Sequence, residues 1–67
     1  MKLYRYITGP DDSSFCKRVS KALSAGWCLQ GTPTLTHNPQ TNSMMCGQAV
    51  VKEVDGEFSD DITLSEH

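Results

Sequence analysis

Ser24-Ala25-Gly26-Trp27 is the stretch that decides the fold, because a helical pattern ends there on a glycine and a strand pattern begins on the only tryptophan of the chain. Glycine adopts the positive φ that commonly ends a helix without a steric penalty, and the next residue often folds back onto the last turn. We therefore expect Trp27 to pack against Ala22 and to anchor the core.

Apolar residues upstream of this junction recur at the spacing of an α-helix, and basic residues fill the opposite arc. The apolar stripe consists of Phe15, Val19, Ala22 and Leu23, with Cys16 at its edge, and the basic arc of Lys17, Arg18 and Lys21. Pro10 suits the first helical position, and the carboxylates of Asp11 and Asp12 favour the positive end of the helix dipole. The pattern predicts one amphipathic helix over about residues 11–25.

Three segments have the aromatic and β-branched composition of strands. They cover residues 2–8, 27–35 and 44–54, and a loop of turn-forming residues at 36–43 separates the last two, which should form a hairpin. The third strand is expected in the middle, antiparallel to both others, because Ala49-Val50-Val51 is the most continuously apolar segment. The alternative places the first strand parallel beside the second. Either arrangement is an α+β fold with one helix on a three-stranded, mainly antiparallel sheet.

The hairpin register is predicted from the two faces that it creates. With Leu35 opposite Met45, the odd-numbered side chains share a mainly apolar face, on which Gly31, Gly47 and Ala49 leave room for the helix. The remaining odd-numbered residues are Trp27, Leu29, Pro33, Val51 and Glu53. The predicted core consists of Phe15, Val19, Leu23, Trp27, Leu29 and Val51.

The chain of 67 residues is expected to form one compact domain over residues 1–54, followed by an acidic, flexible tail over residues 55–67. The tail carries five acidic residues and no basic one. Whether its apolar residues Phe58, Ile62 and Leu64 dock on the domain stays open. A domain this small has a marginal core, so an additional source of burial is expected.

The cysteines and histidines predict no catalytic, cofactor or metal site. Zinc binding by Cys16, Cys28, Cys46 and His37 suits the ligand types, but the chain lacks a Cys-x-x-Cys pair. A cysteine nucleophile would need a base nearby, whereas His37 falls in the predicted loop and His67 is the last residue. The odd number of cysteines, with no signal peptide and no apolar run of about 20 residues, predicts a soluble cytoplasmic protein with reduced thiols.

Four segments in order resemble a family of short bacterial proteins, the domain of unknown function 1737 (DUF1737). These segments are residues 4–11, the set Phe15, Val19 and Leu23, the run from Gly26-Trp27 through Leu29 and Gly31 to residues 33–36, and residues 46–50. The resemblance covers residues 3–54. It implies a compact strand-helix-strand-strand unit and brings no assigned activity, ligand or catalytic residue.

A non-enzymatic module that self-associates or binds another protein is the leading functional hypothesis. A single helix covers one face of the sheet, and the other face is expected to pair with a copy of itself in a homodimer. The residues expected on that face are Leu3, Ile7, Cys28, Cys46, Val50 and several threonines. The competing expectation is a monomer whose tail covers this face.

Two other functions are weighed against the module. Small-molecule or nucleic-acid binding would use the basic residues of the first third, Lys2, Arg5, Lys17, Arg18 and Lys21, but the net charge of -2 opposes nucleic-acid binding. A cysteine-dependent enzyme is the last alternative, and one fast-reacting thiol of low pKa would favour it.

Overall fold

The elements follow one another in the order strand, helix, strand, strand. The computed structural model describes residues 1–64 and 67, with β1 at Lys2–Pro10, α1 at Ser13–Ser24, β2 at Cys28–Asn38 and β3 at Ser43–Glu53. The strand order is β1-β3-β2, and β3 pairs antiparallel with both neighbours. The predicted α+β fold with the third strand in the middle is confirmed, and the parallel alternative is wrong.

Both ends of α1 are defined by capping hydrogen bonds. Asp12 is the N-cap and accepts a hydrogen bond of 2.8 Å from the backbone N–H of Ser14, whereas Pro10 still belongs to β1. At the other end Gly26 has a φ of +99°, its N–H donates to Leu23, and the N–H of Trp27 donates to Ala22 at 3.0 Å. This pair of bonds is a Schellman motif, so the predicted junction and its contact between Trp27 and Ala22 are confirmed.

The core lies between α1 and the strands β1 and β3. Its buried apolar residues are Leu3, Ile7, Ala22, Trp27 and Val50. Phe15 and Val19 pack against this group as predicted, but Leu23 and Leu29 are 41% and 55% exposed. Because α1 lies mainly over β1, it leaves β2 uncovered, and these two predicted core residues remain at the surface.

The predicted hairpin register is wrong. Leu35 pairs with Cys46 instead of Met45, and Val50 pairs with Leu29 on one side and Arg5 on the other. The even-numbered residues of β3 therefore face the helix, and Val51, predicted in the core, lies on the opposite face. The reason is the pairing with β1, whose buried residues Leu3 and Ile7 bring the face of Val50 to the core.

A bulge in β2 separates two registers. The residues paired on either side of it are Gln30 with Ala49 and Thr34 with Gly47, so three residues of β2 face one residue of β3. That one residue is Gln48, which is 95% buried, and its amide nitrogen donates to the carbonyl of Ala49 at 2.8 Å. The same nitrogen reaches the carbonyls of Gln30 and Gly31 at 3.3 and 3.4 Å, which satisfies the irregular backbone of the bulge.

Three of the described residues of the predicted tail contact the domain, namely Ile62, Leu64 and His67. Ile62 and Leu64 are half-buried and pack against the core on the helix side of the sheet. Lys52 donates to the carbonyl of Ala25 at 2.7 Å and also to the carbonyl of His67. The tail segment at residues 65 and 66 lies outside the described residues, and the flexibility of the tail stays a prediction.

Candidate functional site

None of the helices and strands that the structure describes covers the sheet face opposite α1, which we call the open face. Successive side chains of a strand point to opposite faces of the sheet. The buried residues and the strand pairings therefore identify the side chains of the open face. They are Tyr4, Tyr6 and Thr8 of β1, Met45, Gly47, Ala49 and Val51 of β3, and Cys28, Gln30, Thr34 and Thr36 of β2. Lys2 and Glu53, which pair with each other, lie on the same face at one end, and the side chains named above carry no formal charge at neutral pH.

Tyr6 crosses the central strand and joins the two edge strands. Its hydroxyl forms a hydrogen bond of 2.6 Å with the hydroxyl of Thr34. A Cβ atom at Gly47 would lie 2.4 Å from the Tyr6 hydroxyl oxygen and 2.7 Å from the Thr34 hydroxyl oxygen, so the missing side chain creates the space that this bond occupies. The result is a tyrosine held in one place on the open face.

The composition of the open face differs from the prediction. Leu3, Ile7 and Val50 were expected there but are buried on the helix side, and Cys46 also lies on the helix side, opposite Gly9 and Leu35. In their place the face presents Tyr4 and Tyr6, which are 56% and 46% exposed. The alternation of tyrosines with Leu3 and Ile7 in β1 was the sequence signal that could have identified them.

A second candidate site is a cleft on the helix side, which we call the basic cleft. It has a volume of about 190 Å³ and is lined by Arg5, Arg18, Lys21, Ala22, Ala25, Trp27 and His67. Three of the five basic residues noted in the sequence therefore meet in one place. The other two do not line it, because Lys17 belongs to another part of α1 and Lys2 pairs with Glu53 at the start of β1.

The three cysteines belong to three different elements and form no disulfide. Cys28 is on the open face, Cys16 is exposed on α1, and the Cys46 thiol donates to a carboxylate oxygen of Asp11 at 3.5 Å. Burial, followed by the hydrogen bond and negative charge of Asp11, raises the pKa of the Cys46 thiol. A raised pKa disfavours the thiolate, which is the nucleophilic form.

The histidine expected in a loop belongs to a strand. His37 lies in β2, and its Nε2 atom is 3.1 Å from the side-chain oxygen of Asn42. Within residues 1–64 and 67 there is no group of three or more histidine, cysteine, aspartate or glutamate residues placed to hold a metal ion. In the same part of the chain, no helix has the length and apolar character needed to cross a bilayer.

The fold and its two surfaces define a small α+β domain with one helix on a three-stranded sheet, an open face that presents two tyrosines, and a basic cleft. Residues 1–53 match the model of one family, and the chain belongs to the domain of unknown function (DUF1737) family. No curated protein and no solved structure matches the chain.

Proposed function

We propose that this protein is a non-enzymatic module that self-associates through the open face, with a second copy of this chain as the partner. The observation that carries the proposal is a sheet face with two half-exposed tyrosines, on which the charged side chains Lys2 and Glu53 are confined to one end. Protein interfaces are enriched in tyrosine and depleted of charged residues at their centres.

Tyr6 and Tyr4 give the open face rigid, amphipathic contact area. The hydrogen bond to Thr34 fixes the Tyr6 ring before any partner arrives, so association loses less side-chain entropy. Tyr4 stands opposite Val51, which in turn stands opposite Cys28, so a row of apolar groups crosses all three strands. Two such faces can pack against each other at the usual spacing of about 10 Å between sheets.

The small core supplies the energetic reason for association. Among the described residues only five apolar residues are buried, and a domain of this size rarely gains more than about 3–5 kcal/mol from its own core. Burying the tyrosines of two copies adds apolar burial that a monomer lacks. Three strands of 9, 11 and 11 residues give a footprint of roughly 500 Å² per copy. Because standard interfaces bury about 800 Å² per partner, we expect a dimer of micromolar affinity or weaker.

We extend the proposal to a bacterial cytoplasmic protein. The three cysteines are free, and thiols persist in this state in reducing compartments. Burial and the neighbouring Asp11 raise the pKa of the Cys46 thiol, which disfavours its nucleophilic thiolate form. These observations support a binding module over a cysteine-dependent enzyme.

Sedimentation equilibrium of the full chain tests the proposal at concentrations from about 10 μM to 1 mM. The expected result is a monomer–dimer equilibrium that Tyr4→Lys abolishes, because a charge would be buried at the interface. Leu35→Lys is the matched control, since Leu35 is 59% exposed on the helix side of the same sheet. A chain that stays monomeric throughout, or a dimer that Leu35→Lys dissociates and Tyr4→Lys does not, would overturn the proposal.

A further inference from the structure

The basic cleft has room for a small ligand. The volume of the cleft is about 190 Å³. Drug-sized molecules need pockets of about 300 to 1,000 Å³. The volume therefore selects a compact group, such as a phosphate with a short organic substituent.

Both arginines of the basic cleft are held in position without a ligand. The guanidinium carbon of Arg5 lies 5.4 Å from the centroid of the Trp27 ring, and Trp27 itself is buried at the end of α1. The Nη1 atom of Arg18 donates to the backbone carbonyl of Thr8 at 2.5 Å. Placing the arginines in advance reduces the conformational entropy that a ligand must overcome.

The charge of the basic cleft is concentrated. Among the described residues, no side-chain carboxylate lies within ion-pair distance of Arg5, Arg18 or Lys21. Three positive charges around a small volume favour a dianion over a monoanion. A phosphate monoester has a second pKa near 6, so it carries close to two negative charges at neutral pH.

The C-terminal end of α1 opposes an anion at this place, because its carbonyl groups carry partial negative charge. Three of these carbonyls are occupied by donors, which reduces that effect. Trp27 donates to Ala22, Gly26 donates to Leu23, and Lys52 donates to Ala25. The capping of α1 weakens the repulsion of an anion, and the three cations attract it. Both effects therefore favour an anion in the basic cleft.

We propose that the basic cleft binds a small phosphate monoester, with Arg5 and Arg18 as its guanidinium donors and Lys21 as its third positive charge. A guanidinium matches phosphate oxygens with two parallel hydrogen bonds, and a lysine adds a mobile point charge. The site is on the helix side of the sheet, so it is independent of self-association through the open face.

The test is an NMR titration of the full chain, at constant ionic strength, with glycerol 3-phosphate and with inorganic phosphate. The backbone amides of Ala22 and Ala25 and the indole N–H of Trp27 are expected to shift and to saturate. Arg5→Gln and Lys21→Gln should each weaken the affinity about tenfold, as expected for the loss of one charge-assisted contact. Lys21 is exposed, so its variant keeps the test valid if Arg5→Gln disturbs the packing on Trp27.

Lys17→Gln is the matched control, because Lys17 has the same charge on the same helix and does not line the basic cleft. It should leave the affinity unchanged within about twofold. An absence of saturable shifts, or an equal loss in Lys17→Gln, overturns the proposal. Tighter binding of a thymidine oligonucleotide that Lys17→Gln also weakens would indicate a nucleic-acid surface instead and would equally overturn it. Tyr4→Lys should not change the phosphate affinity, which separates this test from that of the dimer.

Discussion

Gly47 shows how the absence of one side chain shapes a surface. It lies in the central strand, paired with Thr8 and Thr34, and the Tyr6 hydroxyl occupies the place where its Cβ would stand. A hydrogen-bonded link between the two edge strands can therefore pass directly over the sheet. The position requires glycine because of a close approach, not because of a positive φ.

Gly47→Ala is expected to lower the free energy of unfolding by about 1–3 kcal/mol, because the Tyr6 ring must move and its bond to Thr34 is lost. Urea denaturation followed by Trp27 fluorescence measures this change. Gly9→Ala is the matched control, since a Cβ at Gly9 would meet its neighbours at an ordinary distance of 3.5 Å. Equal stability of the two variants would contradict the proposed role of Gly47.

Cys46 is expected to react with iodoacetamide severalfold more slowly than the exposed Cys16 and Cys28 at neutral pH. Its raised pKa lowers the fraction of thiolate at every pH below that pKa. Mass spectrometry of partly alkylated protein gives the three rates. Asp11→Asn removes the hydrogen bond and the charge next to the thiol and should speed up Cys46 alone. A Cys46 that reacts fastest would favour the cysteine-dependent enzyme again.

At the scale of elements, β3 shows why the hairpin register could not be read from the hairpin itself. The predicted register and the observed register of β2 and β3 each place one of the two adjacent valines, Val50 or Val51, on the face toward the helix. The contact that selects Val50 comes from β1, where Leu3 and Ile7 face the helix. The bulge opposite Gln48 changes the register between Gln30 and Thr34. A periodic pattern of apolar residues does not predict such a bulge.

Val50→Thr and Val51→Thr form a matched pair that tests this register. The replacement keeps the volume and the β-branch, so only the burial of a hydroxyl differs. Val50 is completely buried, and its variant should lose about 1–3 kcal/mol of unfolding free energy, whereas the Val51 variant should change by about 0.5 kcal/mol. Chemical denaturation measures both variants. A larger loss at Val51 would support the register predicted from the sequence instead.

For the whole molecule, the acidic C-terminal segment contributes to a core that is otherwise very small. Ile62 and Leu64 pack beside the helix, and the backbone N–H of Val54 donates to the carbonyl of Met1 at 2.8 Å. The segment therefore reaches the helix side of the sheet, and not the opposite face that the competing monomer hypothesis assigned to it. The open face stays available for a partner while the tail is docked.

Ile62→Ala is expected to lower the free energy of unfolding by about 1 kcal/mol, because a half-buried isoleucine loses part of its contact with the core. Phe58→Ala is the matched control in the same segment, since Phe58 is 70% exposed and should change stability by less than about 0.5 kcal/mol. Thermal unfolding of the full chain compares the two. A tail that does not dock would make both changes equally small.

The sequence by itself determined the elements, their order and the helix end at Gly26-Trp27, because these depend on local propensities and on the φ that glycine permits. Only the tertiary structure decided which face of β3 is buried, where Tyr6 lies and which basic residues meet. These features depend on contacts between segments distant in the chain, such as Leu3 with Val50 and Arg5 with Trp27. Local periodicity carries no information on a bulge or on the position of a helix across a sheet.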